Sequence, residues 1–173
     1  MSARAAWRLE ELGFTEVYDY VASKLDWFAN GLPREGRAAD TPWAGDLVRN
    51  DVPTCAPSDH LGDVRERVVE AGSDLCAVVN EHQVVLGLLR GDALSKEPDT
   101  CVADVMELGP KTLRPSESVG KLLGSRANQG VKDWLVTTSH GKLLGLLVRT
   151  DAEAALRKAE AAQHGDSQRQ KGW

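Results

Sequence analysis

The sequence has no surplus of positive charge and no long apolar run. Its 21 Lys and Arg residues are outnumbered by 26 Asp and Glu residues, so the formal net charge is −5. Proteins that bind nucleic acids present a basic face to the phosphates, so this balance predicts no nucleic-acid partner. No apolar run is longer than six residues, as in LLGLLV at 143–148. Because a membrane-spanning helix needs about 20 apolar residues, we expect no membrane span.

Cysteine is scarce, and its arrangement argues against two kinds of site. The three cysteines, Cys55, Cys76 and Cys101, are an odd number without CxxC spacing. Neither a disulfide framework nor a zinc site is therefore predicted. Cys76 lies within the apolar run LCAVV and is interpreted as a buried, unreactive thiol. Residues 1–13 form a charged helical pattern without the apolar centre of a signal peptide, so we expect a cytoplasmic protein.

What the sequence does contain is an internal repeat with a period of 58 residues. Residues 54–89 align with residues 112–147 without a gap, and 11 of the 36 aligned pairs are identical. The identical pairs are Thr54/Thr112, Pro57/Pro115, Ser58/Ser116, Gly62/Gly120, Gly72/Gly130, Val78/Val136, His82/His140, Leu86/Leu144, Gly87/Gly145, Leu88/Leu146 and Leu89/Leu147. Such a repeat predicts two structurally equivalent units stacked on each other.

Each copy predicts the same order of elements. In the first copy, apolar spacing predicts a helix at 61–71. Two β-branched runs, 75–80 and 83–89, predict a hairpin that is followed by a second helix. The second copy repeats this order, with its first helix at 119–127. The predicted fold is α/β (α+β), a duplicated β-α-β-β-α unit in which each half covers the apolar face of the other.

The segments outside the two copies show three different patterns. Apolar spacing predicts a helix at 2–13, an alternating strand at 14–20 and a short helix at 23–32, which together form a helix-strand-helix appendage. Residues 37–45 have no periodicity and are interpreted as a linker. The polar residues 161–173 are interpreted as a disordered tail.

The appendage, residues 1–36, carries a resemblance of its own. Its segment AAWRLEELGFTEVYDYVASKLDWFANGLPREG resembles the C-terminal end of a rhodanese domain, except at Ala22 and Ser23, where that family has glycines. Rhodaneses transfer sulfur through a cysteine in a loop before this region, and no cysteine precedes Cys55. We therefore expect a structural cap or a dimer contact, or a chain that begins inside a longer gene, and not a sulfurtransferase.

The two copies resemble a second family. VADVMELGPKTLRPSESVGKLL and LVTTSHGKLLGLLVRTDAEAAL are similar to CBS domains, and CAVVNEHQVVLGLLRGDAL is a weaker version of the same pattern. The resemblance implies one CBS domain at 46–97 and another at 98–160. As a family, CBS pairs are non-catalytic regulatory modules that bind adenosine-containing ligands such as AMP, ATP or S-adenosylmethionine between their halves. They also associate as flat dimers, which implies a homodimer with helices 61–71 and 119–127 as candidate contacts.

The same resemblance assigns ligand contacts in the second copy. Asp151 follows Gly145 by six residues, which is the spacing of the family's ribose-binding aspartate. A carboxylate suits that role because it accepts hydrogen bonds from both the 2′ and the 3′ hydroxyl. Thr112 corresponds to the residue that borders the adenine, and Leu135 and Val136 correspond to its apolar walls.

Three further positions, Arg149, Thr150 and Asp92, complete the candidate set, and the sequence departs from the family pattern at Val148 and at Asp92. Val148 stands where the family has a phosphate-binding Ser or Thr, and Arg149 is expected to replace that contact because a guanidinium binds phosphate well. The adjacent Thr150 is included as a ligand contact. Asp92 is the first-copy counterpart of the ribose aspartate, but it follows Gly87 by only five residues.

Some alternatives stay open at this point. Asp151 begins an Ala-rich helical pattern, so it is equally well explained as an N-cap. His82 and His140 occupy equivalent turns, where polar turn residues are favoured over a symmetric metal pair. For the chain as a whole, the alternative to ligand binding is a docking or dimerisation scaffold with degenerate clefts, and a rhodanese-type sulfurtransferase ranks third.

Overall fold

The computed structural model describes residues 2–18, 20, 23–35 and 41–169. It begins with two helices, α1 (Ser2–Glu11) and α2 (Ser23–Ala29). The strand expected at 14–20 does not form in the described part of that segment, so the strand of the expected helix-strand-helix order is not observed there. A strand needs a hydrogen-bonded neighbour, and here Tyr18 is 87% exposed to solvent.

The first repeat is built on a four-stranded sheet. Its elements are β1 (Thr54–Cys55), α3 (Leu61–Glu70), β2 (Leu75–Val79), β3 (Val85–Arg90), a 3-10 helix (Gly91–Ser95), α4 (Val102–Val105) and β4 (Glu107–Leu108). The sheet order is β1-β2-β3-β4, with β1 parallel to β2 and the other neighbours antiparallel. The predicted hairpin is confirmed, because β2 and β3 pair in antiparallel register.

The second repeat has the same plan with three strands. Its elements are β5 (Thr112–Leu113), α5 (Val119–Gly124), a 3-10 helix (Arg126–Asn128), β6 (Asp133–Thr137), β7 (Leu143–Val148) and α6 (Arg149–Arg169). β5 pairs parallel with β6, and β6 pairs antiparallel with β7. Every strand pairing within the first β-α-β-β unit therefore recurs in the second, as the repeat predicted.

The helices that close the two repeats differ. In the first repeat the closing helix is only the 3-10 turn Gly91–Ser95, and Pro98, which lacks an N–H, follows shortly after it. In the second repeat α6 continues to Arg169, well into the segment expected to be a disordered tail. Ala and Gln are good helix formers, so once the helix is nucleated each added residue contributes one more hydrogen bond. Residues 170–173 lie outside the described part of the chain.

The segment ahead of each repeat packs on the sheet of the other repeat. We call residues 44–50 the first leading segment and residues 102–108 the second. Arg49 in the first forms an antiparallel bridge with Leu146 of β7, with N–O distances of 2.8 and 2.9 Å in the two directions. The second leading segment contributes β4, whose Leu108 pairs with Gly87 of β3. The two repeats are thereby interlocked.

Glycines on β3 and β7 allow this close approach. A Cβ built on Gly145, whose φ is +147°, would lie 2.1 Å from the carbonyl oxygen of Arg49. A Cβ on Gly87 would lie 2.6 Å from the sulfur of Met106. These two glycines are an identical pair of the repeat because each repeat must accept a leading segment at this point.

Part of the segment expected to be a linker is also packed. Residues 41–45 run along the second repeat, where Trp43 forms a bridge with Ser118 and the side chain of Ala44 is fully buried. Residues 36–40, which include the rest of that linker, are outside the described residues. The apolar contacts of Ala44 draw this end of the segment into the core of the second repeat, which composition alone does not reveal.

Three apolar clusters hold the body together. One lies within each repeat, and each includes residues of the leading segment packed on it. The third lies between the two sheets and is formed by Leu75, Ala77, Val79, Leu88 and Leu135. The hairpin turns also meet, since the N–H of Val85 donates to the carbonyl of Gly141 at 3.0 Å and the N–H of Leu143 donates to that of Gln83 at 2.8 Å.

Helices of the length and apolarity that a bilayer crossing requires are absent from the described residues.

Candidate functional site

A cleft opens between the repeats where the first leading segment crosses β7. We call it the second-repeat cleft, and its volume is about 410 Å³. Its walls come from four places: the end of the first leading segment with the two residues that follow it, the loop before β2, the start of β6, and the end of β7. The residues that decide its chemistry are Arg49, Asp51, Asp74, Asp133, Leu146 and Val148.

An equivalent opening, the first-repeat cleft, lies beside β3 and is smaller. It has a volume of about 130 Å³ and is lined in part by Arg90, Glu107 and Lys111. An ion pair of 2.9 Å joins Arg90 to Glu107, and Lys111 donates to the side chain of Asn128 at 3.0 Å. Ligand pockets usually measure about 300–1,000 Å³, so of these two clefts the second-repeat cleft has room for a nucleoside and the first-repeat cleft does not.

Asp151 lies beside the second-repeat cleft, bound to one of its wall residues. Its Oδ2 accepts from Nε of Arg49 at 2.7 Å, and its Oδ1 accepts from Nη2 at 3.0 Å. The helix α6 begins at Arg149, so Asp151 belongs to its first turn and the N-cap interpretation is wrong. A carboxylate in a first helical turn still interacts favourably with the helix dipole.

Arg149 does not take the phosphate-binding role expected for it. Its Nε donates to the carbonyl of Val131 at 2.6 Å, and Nη2 donates to the carbonyl of Asn128. The guanidinium also lies 5.1 Å from the centre of the Trp134 ring and 3.5 Å from a carboxylate oxygen of Glu153. These contacts hold it against the loop before β6, away from the second-repeat cleft.

The two expected apolar walls lie on opposite faces of β6. Leu135 belongs to the cluster between the sheets and lines the first-repeat cleft. Val136 is fully buried in the separate core of the second repeat. Side chains alternate along a strand, so adjacent residues cannot face one cavity. The expectation is therefore wrong for Val136, and the apolar walls of the second-repeat cleft are instead Val52, Leu146 and Val148.

Thr112 lies on β5, which is separated from β7 by β6. Its hydroxyl accepts a hydrogen bond of 3.1 Å from the hydroxyl of Thr137, which in turn accepts from Nη1 of Arg114 at 2.6 Å. This small polar network satisfies the Thr112 side chain within the protein. The geometry does not bring Thr112 together with Asp151.

Asp92 and Thr150 are both exposed. Asp92 belongs to the 3-10 helix after β3, and Thr150 belongs to the first turn of α6. The two positions are equivalent in the repeat, and the walls of the two clefts are formed by other residues. The position in the first repeat that carries charge into a cleft is Arg90, the equivalent of Val148.

Three carboxylates at the second-repeat cleft were not among the sequence candidates. Asp51, Asp74 and Asp133 all line it. Burial, and then the negative charge of Asp74, raise the pKa of Asp133 above its ordinary value, while Lys132, Arg49 and Arg90 act in the opposite direction. The positions equivalent to Asp74 and Asp133 are Lys132 and Leu75, so the repeat alignment does not identify these two aspartates as site residues. They come together because the two repeats pack against each other.

The cysteines lack the surroundings of a reactive thiol. Cys55 and Cys76 are both buried, on neighbouring strands of the first repeat. A hydrogen bond with Cys55, reinforced by burial, raises the pKa of Cys76. Cys101 is half-buried and its thiol donates to the carbonyl of Pro57 at 3.2 Å. The hydrogen bond between Cys55 and Cys76 lowers the pKa of Cys55, but a nucleophilic cysteine must also be accessible, and Cys55 is buried.

The two repeat histidines occupy exposed positions in the hairpin turns, as the polar-turn interpretation expects. The Nδ1 of His140 lies 3.2 Å from the hydroxyl of Ser139. Across the described ranges, the structure contains no group of three or more His, Cys, Asp or Glu side chains arranged to hold a metal ion.

Comparison with known proteins identifies the fold. Residues 44–97 match the CBS domain family. An uncharacterized protein of Methanopyrus kandleri is 24% identical over 115 residues, which are 62% of this chain and 59% of the relative. The chain thus spans about three fifths of that relative's length.

Solved structures extend the likeness to both repeats. CBSX2 in complex with AMP is 21% identical with a TM-score of 0.59, and the match covers 68% of this chain and 98% of that one. The CBS domain pair of protein MJ0100, in complex with 5′-methylthioadenosine and S-adenosyl-L-methionine, is 12% identical with the same TM-score and the same coverage. At such identities the likeness establishes the fold: the two repeats are arranged as in CBS-domain pairs.

Proposed function

We propose that this CBS-domain pair is a non-catalytic regulatory module that binds an adenosine-containing ligand in the second-repeat cleft. The observation that carries the proposal is the position of Asp151, whose carboxylate is held beside a cleft of about 410 Å³ between the repeats. The complexes of similar folds with AMP and with S-adenosylmethionine support the class of ligand.

In this proposal the ligand replaces a contact made within the protein. The ribose hydroxyls donate to the carboxylate of Asp151 and compete with Arg49 for it, since both use the same two oxygens. The adenine packs on the apolar side chains of Val52, Leu146 and Val148. Transfer of the base from water to these side chains contributes apolar burial, and the carboxylate fixes its orientation.

Regulation follows from where the cleft lies. Its walls belong to both repeats and to the first leading segment, so a ligand bound there adds contacts between elements that are already packed together. A ligand that binds only the folded, interlocked form stabilises it in proportion to the logarithm of its concentration above Kd. The bound state can thereby be transmitted to a partner that contacts the leading segments.

A ligand-free docking scaffold is the second candidate function. The ion pair between Arg49 and Asp151 favours it, because it satisfies the carboxylate without any ligand. Val148, which stands in place of a phosphate-binding hydroxyl, also favours the scaffold. In both candidates we infer a homodimer in which α3 contributes an interface, since Val69 on that helix is 77% exposed.

The appendage is proposed to be a structural cap on the second repeat. The rings of Phe28 and Trp43 lie 5.2 Å apart, and Arg34 forms an ion pair of 2.7 Å with Asp46. The two contacts attach α2 and the residues after it to Trp43 and to Asp46 of the first leading segment. We infer no sulfur-transfer role for these residues, and we expect the module to act in the cytoplasm.

The deciding experiment is a titration of the full chain with adenosine, AMP, ATP and S-adenosylmethionine by calorimetry, with thermal unfolding in parallel. Asp151→Ala removes the ribose acceptor, and hydrogen bonds to a charged group contribute about 1.5–3 kcal/mol. We therefore expect about tenfold to a hundredfold weaker binding, whereas the matched control Asp92→Ala binds as the parent does. Failure of all four compounds to bind would leave the scaffold as the function.

A further inference from the structure

We propose that the second-repeat cleft selects an adenosyl ligand that carries no phosphate and is neutral or positively charged, such as a sulfonium, and that it discriminates against nucleotides. This inference rests on the proposed function and concerns the same site. It follows from the placement of the charged side chains that line the cleft.

The arginine that lines the cleft and the arginine that the sequence assigns to a ligand's phosphate are already engaged. Arg49, which lines the cleft, gives two hydrogen bonds to Asp151. Arg149 is directed to the carbonyls of Val131 and Asn128. The last residue of β7, where a hydroxyl would meet a phosphate, is Val148. A nucleotide would therefore bring its negative charges into a cleft with no free donor among these groups.

The walls of the cleft also carry a surplus of negative charge. Asp51, Asp74 and Asp133 line it together with a single guanidinium, that of Arg49. That guanidinium is shared with Asp151, so the carboxylates on the walls are left without a paired cation. Asp133, half-buried at the start of β6, has its pKa raised by burial and by the charge of Asp74, in spite of the opposing effects of Lys132, Arg49 and Arg90.

The engaged arginines and the surplus of carboxylates affect the binding of a charged ligand in the same direction. A phosphate within several ångströms of the carboxylates is repelled, and a sulfonium or an ammonium is attracted, more strongly than in water because the walls exclude part of the solvent. A neutral adenosine derivative gains neither effect. S-Adenosylmethionine carries a sulfonium, an ammonium and one carboxylate, so its net charge is positive and it fits a cleft of this polarity.

The first-repeat cleft does not offer a second place for the nucleotide. Its basic side chains, Arg90 and Lys111, are bound to Glu107 and Asn128 respectively. Its volume of about 130 Å³ is well below that of pockets that enclose drug-sized ligands, which are about 300–1,000 Å³.

The test compares ligands that share the adenosine but differ in charge. The full chain is titrated by calorimetry with S-adenosylmethionine, 5′-methylthioadenosine and AMP, which are positive, neutral and negative respectively. We expect S-adenosylmethionine to bind most tightly and AMP most weakly. Raising the ionic strength should lower the affinity for S-adenosylmethionine and leave that for 5′-methylthioadenosine unchanged. It should also reduce the discrimination against AMP.

Charge variants at the cleft supply the second arm. Asp133→Asn and Asp74→Asn each keep the size of the side chain and remove one negative charge. We expect each variant to bind S-adenosylmethionine about threefold to tenfold more weakly, an electrostatic effect of the size expected at the protein surface. Each variant should bind AMP more tightly, and its affinity for 5′-methylthioadenosine should not change. The control is Asp63→Asn, an exposed position on α3 that lies outside the cleft.

The outcomes separate this inference from the proposed function. Tightest binding by AMP, or variants at Asp74 and Asp133 that change all three ligands equally, would overturn the charge selection and leave the adenosine site in place. If none of the three compounds binds, the proposed function itself fails, and the charge selection fails with it.

Discussion

Arg49 and Asp151, which are 102 positions apart in the chain, form a two-bonded ion pair across the boundary between the first leading segment and α6. The distances are 2.7 Å from Nε to Oδ2 and 3.0 Å from Nη2 to Oδ1. The pair closes one side of the second-repeat cleft. In the proposed function, the ribose of the ligand replaces Arg49 as the donor to Asp151.

We predict that this pair makes a modest contribution to stability. The side chain of Arg49 is 52% exposed and that of Asp151 is 33% exposed, and exposed ion pairs contribute about 0.2–1 kcal/mol. In a double-mutant cycle of Arg49→Ala and Asp151→Ala, urea unfolding of the four proteins should give a coupling energy within that range. Strictly additive effects would show that the pair does not persist in solution.

The glycine under the first leading segment should tolerate no side chain. Gly145→Ala places a Cβ 2.1 Å from the carbonyl oxygen of Arg49 at a φ of +147°, and overpacking together with backbone strain costs at least about 2 kcal/mol. Gly120→Ala is the matched control, because a Cβ there would lie 3.7 Å from its nearest atom, in Leu156. Urea unfolding should show Gly120→Ala equal to the parent or more stable, since Ala favours the helix by about 0.5–1 kcal/mol. Equal stability of Gly145→Ala and the parent would contradict the packing of the leading segment.

The raised pKa of Asp133 predicts a specific pH dependence. Its cause is burial first and the charge of Asp74 second. A carboxyl whose pKa is raised on folding favours the folded state below its unfolded pKa, at about pH 4, and this contribution is lost as the pH rises through the folded value. Asp133→Asn should therefore melt at a higher temperature than the parent near pH 7, and the difference should shrink as the pH falls toward 4. A difference that is constant across this range, or that matches the control Asp63→Asn, would show that Asp133 ionises normally.

The exposed apolar residue of α3 should be part of a homodimer interface. Light scattering of the parent at about 50 µM, a concentration suited to weak association, should give the mass of a dimer. Val69→Lys should shift it toward the monomer, because a buried unpaired charge is costly. Leu108→Lys is the control, since Leu108 is also largely exposed, at 74%, but belongs to β4. A monomeric parent at this concentration would end the dimer proposal.

No thiosulfate:cyanide sulfurtransferase activity is expected. The thiols of Cys55 and Cys76 are buried, and no residue pattern around the cysteines forms an anion-binding loop that would stabilise a thiolate. The measurement is thiocyanate production by the purified chain above the rate in buffer. Turnover that disappears on replacing one of the three cysteines would contradict this prediction.

The repeat determined most of the fold. Local patterns sufficed for the hairpins β2–β3 and β6–β7 and for α3, because alternation, apolar spacing and turn residues act over a few positions. The strand expected at 14–20 failed for a reason that is not local, since among the described residues no strand pairs with this segment. The resemblance of the copies to CBS domains likewise predicts a paired fold from the sequence alone.

The site was less accessible to sequence reasoning. The spacing from Gly145 identified Asp151, and the structure places that residue beside a cleft. The same reasoning assigned Arg149 to a phosphate and Val136 to a ligand wall. The contacts of Arg149 with Val131 and Asn128, and the alternation of β6, exclude both roles.

The sequence by itself determined that there are two equivalent units, where their strands lie, and which glycines recur. Only the tertiary structure decided that each leading segment packs on the other repeat, that Arg49 meets Asp151, and that Asp51, Asp74 and Asp133 face one cleft. The physical reason is that side-chain pairing across the repeat boundary depends on how two separate sheets cover their apolar faces. How the sheets pack depends on apolar burial over the whole body, which the spacing of neighbouring residues does not reveal.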